Sequence, residues 1–328
     1  MSTIFYVGAT GYIGGSVLVA LRKKFPTYSV TALVRNPKNF PAIEALGVAV
    51  VQGSFSDEEV IEKQSSLADI VINTGESDSV PLALAILRGL KQRHETTGAV
   101  GIYIHTSGCA AFLDMKKDGL FDPQGKLWDD SKEEDIRSIT PDFIHGPIDT
   151  PILTEGDKGY VNTYILSPGA VVGKSTGPIS NGSFFTKAVA SIYKAMGGPV
   201  YVGEGSNEFL LVDLEDLVDI YLRVFELATS NTAHATSYSR YIFATSNGAN
   251  WKDIAAVFGP ELARRGVLKT SEPRILTGAQ VPDGVAFLAA SQRMVSKRAE
   301  LLGWQPRKVN LADYVVDAVS ELADVKSA

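Results

Sequence analysis

Directly after the apolar residues 4–7, the chain contains Gly8-Ala9-Thr10-Gly11-Tyr12-Ile13-Gly14. Apolar residues then recur at helical spacing up to Leu21. The first glycine allows a sharp turn after a buried strand, the second a close approach of backbone to a phosphate, and the third close packing of helix on sheet. The first turn of such a helix offers free N–H groups and the positive end of its dipole. A glycine triplet alone also fits a turn without ligand, but the flanking strand and helix predict a pyrophosphate site for a dinucleotide.

The composition indicates a globular protein with one large core and a smaller lobe, since 45% of its 328 residues are hydrophobic. A net charge of −6 argues against a nucleic acid partner. The single cysteine, Cys109, cannot form an intramolecular disulfide, which fits a reducing compartment. We see no signal peptide and no apolar run of the roughly 20 residues that a membrane span needs. We therefore expect a cytoplasmic protein, a monomer or homodimer, with a small-molecule substrate and no membrane contact.

The first half of the chain alternates apolar strands with helical segments. Strands are expected at 29–34, 48–51, 70–73 and 100–105, and a helix at 80–93. This alternation predicts an α/β fold with a doubly wound parallel sheet of the Rossmann type, whose ligands bind at the carboxyl ends of the strands.

Two parts of the chain are assigned to each predicted domain. Residues 1–170 plus 210–246 form the dinucleotide-binding Rossmann domain, and residues 171–209 plus 247–328 form a smaller, mostly C-terminal substrate lobe. The apolar helix expected at 213–227 supports this division, because it needs a sheet face to cover. A strand at 241–243 and helices at 251–265 and 309–323 complete the prediction.

The end of the second strand bears on the choice of cofactor. An NAD-selective domain usually places an acid there to bind the ribose hydroxyls, whereas this chain has Arg35. Its planar guanidinium can stack on adenine and grip a 2′-phosphate, and Lys38 adds a second charge. The sequence therefore favours NADP, with NAD as the other possibility, although both side chains also fit a solvated surface pair.

Further cofactor contacts are expected where the third and fourth strands end. Ser54 and Phe55 are placed to border the adenine, and Asn73, Thr74 and Gly75 to pass under the cofactor ribose. Both segments also fit ordinary turns.

Four later segments resemble the extended and atypical short-chain dehydrogenase/reductase superfamily, including its epimerase/dehydratase-like and NmrA-like members. Residues 105–107 (HTS) end strand five where the family carries a catalytic serine or threonine, and residues 164–173 (YILSPGAVVG) resemble its "RPxxVYG" segment beside the nicotinamide. Residues 211–217 (LVDLEDL) and 301–306 (LLGWQP) resemble its "HVxDLA" and "LGWxP" segments. The resemblance covers most of the chain. With it, the expected cofactor contacts are Gly8, Thr10, Gly11, Tyr12, Ile13, Gly14, Arg35, Lys38, Ser54, Phe55, Asn73, Thr74, Gly75, Thr106, Pro168 and Val171.

The chain departs from this family at its catalytic pair. The family uses Tyr-x-x-x-Lys, in which the tyrosine donates the proton and the lysine lowers its pKa, and this sequence has no such pattern. In its place stand His145 and Asp149, at the start of a helix expected from Pro147. In one interpretation His145 replaces the tyrosine as acid or base, and Asp149 orients and charges it. In the other, His145 caps the helix or satisfies a buried hydrogen bond, and Asp149 is a surface acid.

Two classes of function follow. The first is an NADP-dependent oxidoreductase of the carbonyl reductase or dehydrogenase type, acting on a small organic or secondary-metabolite substrate. Ser107 would hold the substrate, and His145 or a water would supply the proton. We expect Ser107 and His145 to face one cleft, with catalysis by Ser107, His145 and Asp149 and no metal. The second is a non-oxidoreductive NAD(P)-binding protein, either an NmrA-like redox-sensing regulator or an isomerase, epimerase or lyase. The missing pair favours the second class, and the retained Ser107 favours the first.

Overall fold

The computed structural model describes residues 2–116, 118–179, 181–230 and 235–322. The strands in these ranges are β1 (Thr3–Val7), β2 (Ser29–Val34), β3 (Ala49–Gln52), β4 (Ile70–Asn73), β5 (Gly101–Thr106), β6 (Trp128–Asp129), β7 (Val161–Pro168), β8 (Ala170–Val172), β9 (Val200–Val202), β10 (Glu208–Asp213), β11 (Tyr241–Ala244), β12 (Asn247–Asn250), β13 (Arg274–Leu276) and β14 (Met294–Val295). The α-helices in them are α1 (Tyr12–Lys24), α2 (Phe40–Glu44), α3 (Glu58–Ser66), α4 (Val80–Thr97), α5 (Glu133–Arg137), α6 (Gly146–Gly156), α7 (Phe184–Ala195), α8 (Leu214–Thr229), α9 (Trp251–Arg264), α10 (Lys297–Leu301) and α11 (Leu311–Ser320).

The central sheet of the described chain has seven parallel strands in the order β11-β7-β5-β4-β1-β2-β3. Helices cover both of its faces, with α1 and α8 on one side and α3, α4 and α6 on the other. The α/β fold and the doubly wound Rossmann-type sheet are therefore confirmed. Because Val7 is in register with Asn73, and Asn73 with His105, the ends of β1, β4 and β5 meet at one edge.

The observed elements lie close to the predicted ones. Strands β2 and β4 have the predicted bounds, and β3 and β5 are each shifted by one residue. The helix expected at 80–93 continues to Thr97 and ends at Gly98, which has φ 72° and closes the helix in the left-handed conformation. The helix expected at 309–323 is α11, and residue 323 lies outside the described residues.

The helix expected at 213–227 is α8, and it packs against α1 over the central sheet. A separate apolar cluster joins α7, α9 and α11 with β9. A small sheet, β12-β10-β8, also lies outside the central one. The division into residues 1–170 plus 210–246 and residues 171–209 plus 247–328 stays a prediction. Within the described ranges, no helix combines the length and apolar character needed to cross a bilayer.

Candidate functional site

The glycine cradle, residues 8–14, is shaped by close backbone contacts. Gly8 has φ +97°, and a Cβ built on it would lie 2.6 Å from the backbone nitrogen of Gly75. A Cβ on Gly14 would lie 2.2 Å from the carbonyl oxygen of Gly8 and 2.3 Å from Oγ1 of Thr74. Both positions therefore require glycine, because the atoms in the way belong largely to the backbone.

The first turn of α1 offers a site for an anion. Gly11 is the N-cap in an extended conformation, and no side chain caps the helix. The first N–H groups of a helix have no partner within it, so those of this turn are available to a ligand. A Cβ on Gly11 would have Gly8 O, at 3.2 Å, as its one neighbour within 4 Å among described residues. The cradle thus fits the pyrophosphate of a dinucleotide.

The side chains of Tyr12 and Ile13 in the cradle pack into the protein rather than toward the anion site. Tyr12 donates a hydrogen bond from its hydroxyl to the carbonyl oxygen of Gly173 (2.7 Å), and Ile13 packs against the core under the sheet. Thr10 is half-buried in the turn before the helix. Tyr12 and Ile13 are therefore placed to offer a ligand their backbone N–H groups, while their side chains anchor the helix.

Arg35 and Lys38 lie past the end of β2 and are exposed. Among described residues, neither side chain forms a hydrogen bond or salt bridge, so both charges are free to meet an anion. Ser54 is engaged locally, since its N–H and its hydroxyl both donate to Oδ2 of Asp57, at 2.6 and 2.9 Å. The side chain of Ser54 thus stabilises the turn before α3, as the alternative interpretation of this segment stated.

Side chains at the ends of β4 and β5 hold the strands together. Thr74 donates from Oγ1 to the carbonyl oxygen of Val7 (2.9 Å), and Thr106 donates from Oγ1 to that of Asn73 (3.0 Å). A Cβ on Gly75 would lie 2.6 Å from Cζ of Phe55, so that ring packs directly on the turn after β4. These contacts fix the floor of the edge where the cofactor is expected.

The end of β7 completes this edge. Pro168 is buried and in register with Ala244 of β11. Val171 in β8 is also buried, and its carbonyl oxygen accepts a hydrogen bond of 2.6 Å from the hydroxyl of Ser183. The side chains of Pro168 and Val171 thus belong to the packed wall after β7.

Ser107 follows β5 and joins a buried carboxylate. Its hydroxyl donates to Oδ2 of Asp149 at 2.8 Å, and the hydroxyl of Tyr241 donates to the same oxygen at 2.8 Å. Asp149 is 0% exposed, and its Oδ1 has no hydrogen-bond partner within the described ranges. Burial raises the pKa of Asp149 to about 6, against the lowering effect of its two hydroxyl donors.

His145 has a different partner from the one expected. Its Nδ1 lies 2.7 Å from Oδ1 of Asp78, in the loop after β4, and this hydrogen bond lowers the pKa of Asp78. A Cβ on Gly108 would lie 2.8 Å from Nε2 of His145, so the ring packs beside the residue that follows Ser107. His145 is the N-cap of α6, but its side chain makes no capping hydrogen bond.

A cavity of about 280 Å³ lies beside the long loop after β5. Its wall includes the rings of Phe112 and Trp128, and the centroid of Phe112 lies 5.9 Å from that of Tyr241. Three cations and two acids also line it, namely Lys116, Lys126, Arg293, Asp114 and Asp122. The mixture of rings and charges suits a small, partly polar ligand.

Comparisons with known proteins bear on the fold. The NmrA-like family model matches residues 1–89. The chain is 24% identical to oxidase ucsJ from Acremonium sp. over 326 residues, covering 92% of each protein. A solved UDP-glucose-4-epimerase from Stenotrophomonas maltophila with bound NAD has a TM-score of 0.64 at 14% identity, covering 100% of both chains. Vestitone reductase from alfalfa has a TM-score of 0.59 at 14% identity, covering 99% of each. The chain has the short-chain dehydrogenase/reductase fold. The predicted resemblance to that superfamily is confirmed.

The first interpretation, in which Asp149 orients His145, is corrected by the structure. His145 contacts Asp78, and Asp149 contacts Ser107 and Tyr241. The interpretation of Asp149 as a surface acid is also wrong, because it is fully buried. Ser107 and Asp149 are brought together directly, whereas the shared cleft of Ser107 and His145 stays a prediction.

Sequence reasoning missed two residues of the site. Tyr241 was expected within a strand, without a role, and Asp78 was not considered. Both make contacts across large separations, 92 residues between Tyr241 and Asp149 and 67 between Asp78 and His145. Neither residue belongs to a short-chain dehydrogenase/reductase motif seen in the sequence, so no local signal identified them.

Proposed function

We propose that the protein is an NADP-dependent oxidoreductase that interconverts a carbonyl and an alcohol on a small organic or secondary-metabolite substrate. The observation that carries this proposal is the hydroxyl of Ser107, held by Asp149 at the same sheet edge as the glycine cradle. The relative named as an oxidase and the fold shared with a reductase support the reaction class. The nicotinamide, when bound, supplies or accepts the hydride.

The order of the strands supports the positions of the two partners. A dinucleotide bound at the cradle after β1 extends across the neighbouring strands β4 and β5. Ser107 follows β5 directly and is 4% exposed, whereas Asp149 and Tyr241 are 0% exposed. Ser107 is thus the member of this group that can contact a substrate oxygen.

NADP is the proposed cofactor because Arg35 and Lys38 are exposed just past the end of β2 and have no side-chain partner among the described residues. Arg35→Ala is expected to weaken NADP binding about ten- to a hundredfold and to change NAD binding little, since one guanidinium–phosphate hydrogen bond is lost. Titration with both nucleotides by fluorescence or calorimetry measures this. Lys23→Ala, an exposed cation in the last turn of α1, is the matched control. Equal wild-type affinity for the two nucleotides contradicts the NADP preference.

Ser107→Ala is expected to lower turnover about a hundredfold or more while NADP affinity stays nearly intact. The physical reason is the loss of the hydroxyl that contacts the substrate oxygen. Steady-state assays with a panel of small carbonyls and alcohols measure turnover, and nucleotide titration provides the control. The matching His145→Ala variant tests the predicted acid–base role of the imidazole. A fully active Ser107→Ala enzyme would remove the observation on which the proposal rests.

The second proposed function is NAD(P) binding without oxidoreduction. It is favoured by the NmrA-like match over residues 1–89 and by the missing Tyr-x-x-x-Lys pair. A redox-sensing regulator would bind the nucleotide and turn over no carbonyl or alcohol. An isomerase, epimerase or lyase would convert its substrate without net consumption of NADPH. Product analysis beside the nucleotide assay separates these outcomes.

A further inference from the structure

Two hydroxyl groups converge on one oxygen of Asp149. Ser107 and Tyr241 each donate to Oδ2 at 2.8 Å, and their own oxygens lie 3.4 Å apart. This leaves Oδ1 buried and without a hydrogen-bond partner among the described residues. The arrangement is asymmetric, because one carboxylate oxygen is stabilised twice and the other receives no donor. A proton transferred from Ser107 to Oδ2 would remove the charge and keep this contact, with the carboxyl group then donating to Ser107.

The charges around Asp149 do not balance it. Its ionisable neighbours on the strands are Tyr103 of β5 and Tyr241 of β11, and His105 lies beside Tyr103. Burial keeps these three groups neutral, since it raises the pKa of both tyrosines and lowers that of His105 to about 3. The remaining ionisable neighbours are His145, at the N-cap of α6, and Asp78, which contact each other. The negative charge of Asp149 is therefore stabilised mainly by two hydroxyls.

We propose that Asp149 is the group that exchanges a proton with the substrate, through the hydroxyl of Ser107, and that Tyr241 positions it. This inference rests on the proposed oxidoreductase function. In alcohol oxidation, the substrate O–H bond breaks and its proton moves to Oγ of Ser107, while the proton of Ser107 moves to Oδ2 of Asp149. The carboxylate becomes a carboxylic acid, and the electron pair left on the substrate oxygen would form the carbonyl, with the hydride going to the oxidised nicotinamide that the glycine cradle would hold. Carbonyl reduction runs the same proton transfers in reverse.

The two hydroxyl-bearing residues differ in their exposure. Ser107 has the exposed surface of the group, whereas Tyr241 is fully buried and stays protonated. Tyr241 therefore acts on the carboxylate and not directly on the substrate. Its hydrogen bond favours the charged form of Asp149, so removing it should make that form harder to reach.

The first test is an infrared titration of the cofactor-free protein between pH 4 and 9, which detects the C=O stretch of protonated carboxyl groups. A band that titrates near pH 6 is expected in the wild type and should lose the Asp149 contribution in Asp149→Asn. Tyr241→Phe is expected to move the Asp149 midpoint upward by about one pH unit. Asp130→Asn is the matched control, because burial also raises the pKa of Asp130 to about 6 and no contact joins it to Ser107 in the described structure.

The second test is the pH dependence of alcohol oxidation. Oxidation requires ionised Asp149, so kcat/KM should rise with pH through about 6, and Tyr241→Phe should move this limb with the infrared midpoint. Asp149→Asn is expected to lower kcat about a hundredfold or more at pH 8, whereas Asp130→Asn should leave the limb in place. An Asp149→Asn enzyme that retains both turnover and limb overturns the proposal. So does a limb that His145→Ala abolishes.

The two proposals fail differently. A wild type that binds NADP but oxidises no alcohol contradicts the proposed function, and the infrared titration still decides whether Asp149 exchanges a proton near neutral pH. If Asp149→Asn does not fold, the wild type and Tyr241→Phe provide the comparison. An infrared midpoint that Tyr241→Phe leaves unchanged overturns the positioning role of the tyrosine.

Discussion

A methyl group on Gly14 is expected to lower the free energy of unfolding by about 3 kcal/mol, at the upper end of the usual cost of overpacking, and to abolish dinucleotide binding. The Cβ of Gly14→Ala would lie 2.2 Å from the carbonyl oxygen of Gly8 and 2.3 Å from Oγ1 of Thr74. The first of these atoms is backbone and cannot turn away as a side chain can. The first turn of α1 must therefore move off the end of β1, and the anion site moves with it.

Thermal unfolding and NADP titration measure the two effects of Gly14→Ala. Gly284→Ala is the matched control, since a Cβ there would meet no heavy atom of the described residues within 4 Å and the backbone is not in the left-handed region. Its melting temperature and nucleotide affinity should match the wild type. A Gly14→Ala protein with the wild-type melting temperature would show that the cradle relaxes around the methyl group. Close packing of α1 on the sheet at Gly14 would then not be required for stability.

The fold was predictable because its signals are local. The buried strand β4 begins with the apolar run Ile70-Val71-Ile72, and the glycine cradle lies between a strand and a helix as the dinucleotide motif requires. Two local signals indicate the helix α8. Asp213 is its N-cap, and the Asp213 carboxylate accepts hydrogen bonds from the N–H groups of Glu215 and Asp216. An apolar stripe follows at helical spacing. Such patterns need no knowledge of distant residues.

The candidate site was predictable only in part. Ser107 was identified from its place at the end of β5 and from the family resemblance. The pairing of His145 with Asp149 failed because residues four apart face each other only when both lie within a helix. His145 is the N-cap, where φ and ψ are −97° and 3°, and its ring turns toward Asp78. Asp149, inside the helix, turns toward β5 and β11, and the sequence does not encode that packing locally.

The second large effect concerns the stability of the protein as a function of pH. Burial raises the pKa of Asp149 from 3.8 to about 6. A folded-state pKa above the unfolded one means that the folded protein binds the proton more tightly. The resulting stability is fully present below about pH 4 and is lost as the pH rises through about 6. A shift of roughly two pKa units corresponds to about 3 kcal/mol, because Asp149 is fully buried and solvent does not screen it.

Asp149→Asn is expected to remove this loss. The amide is neutral at every pH, and its oxygen can still accept the hydrogen bonds of Ser107 and Tyr241. The variant should therefore match the wild type near pH 4 and exceed it by about 3 kcal/mol at pH 8, as measured by thermal unfolding across that range. Asp130→Asn is expected to flatten the pH dependence in the same direction, since burial also raises the pKa of Asp130 to about 6. It should also lower stability at every pH, because the amide oxygen can accept only one of the two N–H groups, of Phe243 and Arg298, that the carboxylate accepts. The double variant should then lose both contributions, because effects at independent sites add. If Asp149→Asn loses stability between pH 4 and 8 as steeply as the wild type, ionisation of Asp149 does not destabilise the folded protein, and this prediction is wrong. A variant that is more stable but has lost the proposed activity would instead indicate that the protein retains this destabilising carboxylate for the proposed chemistry.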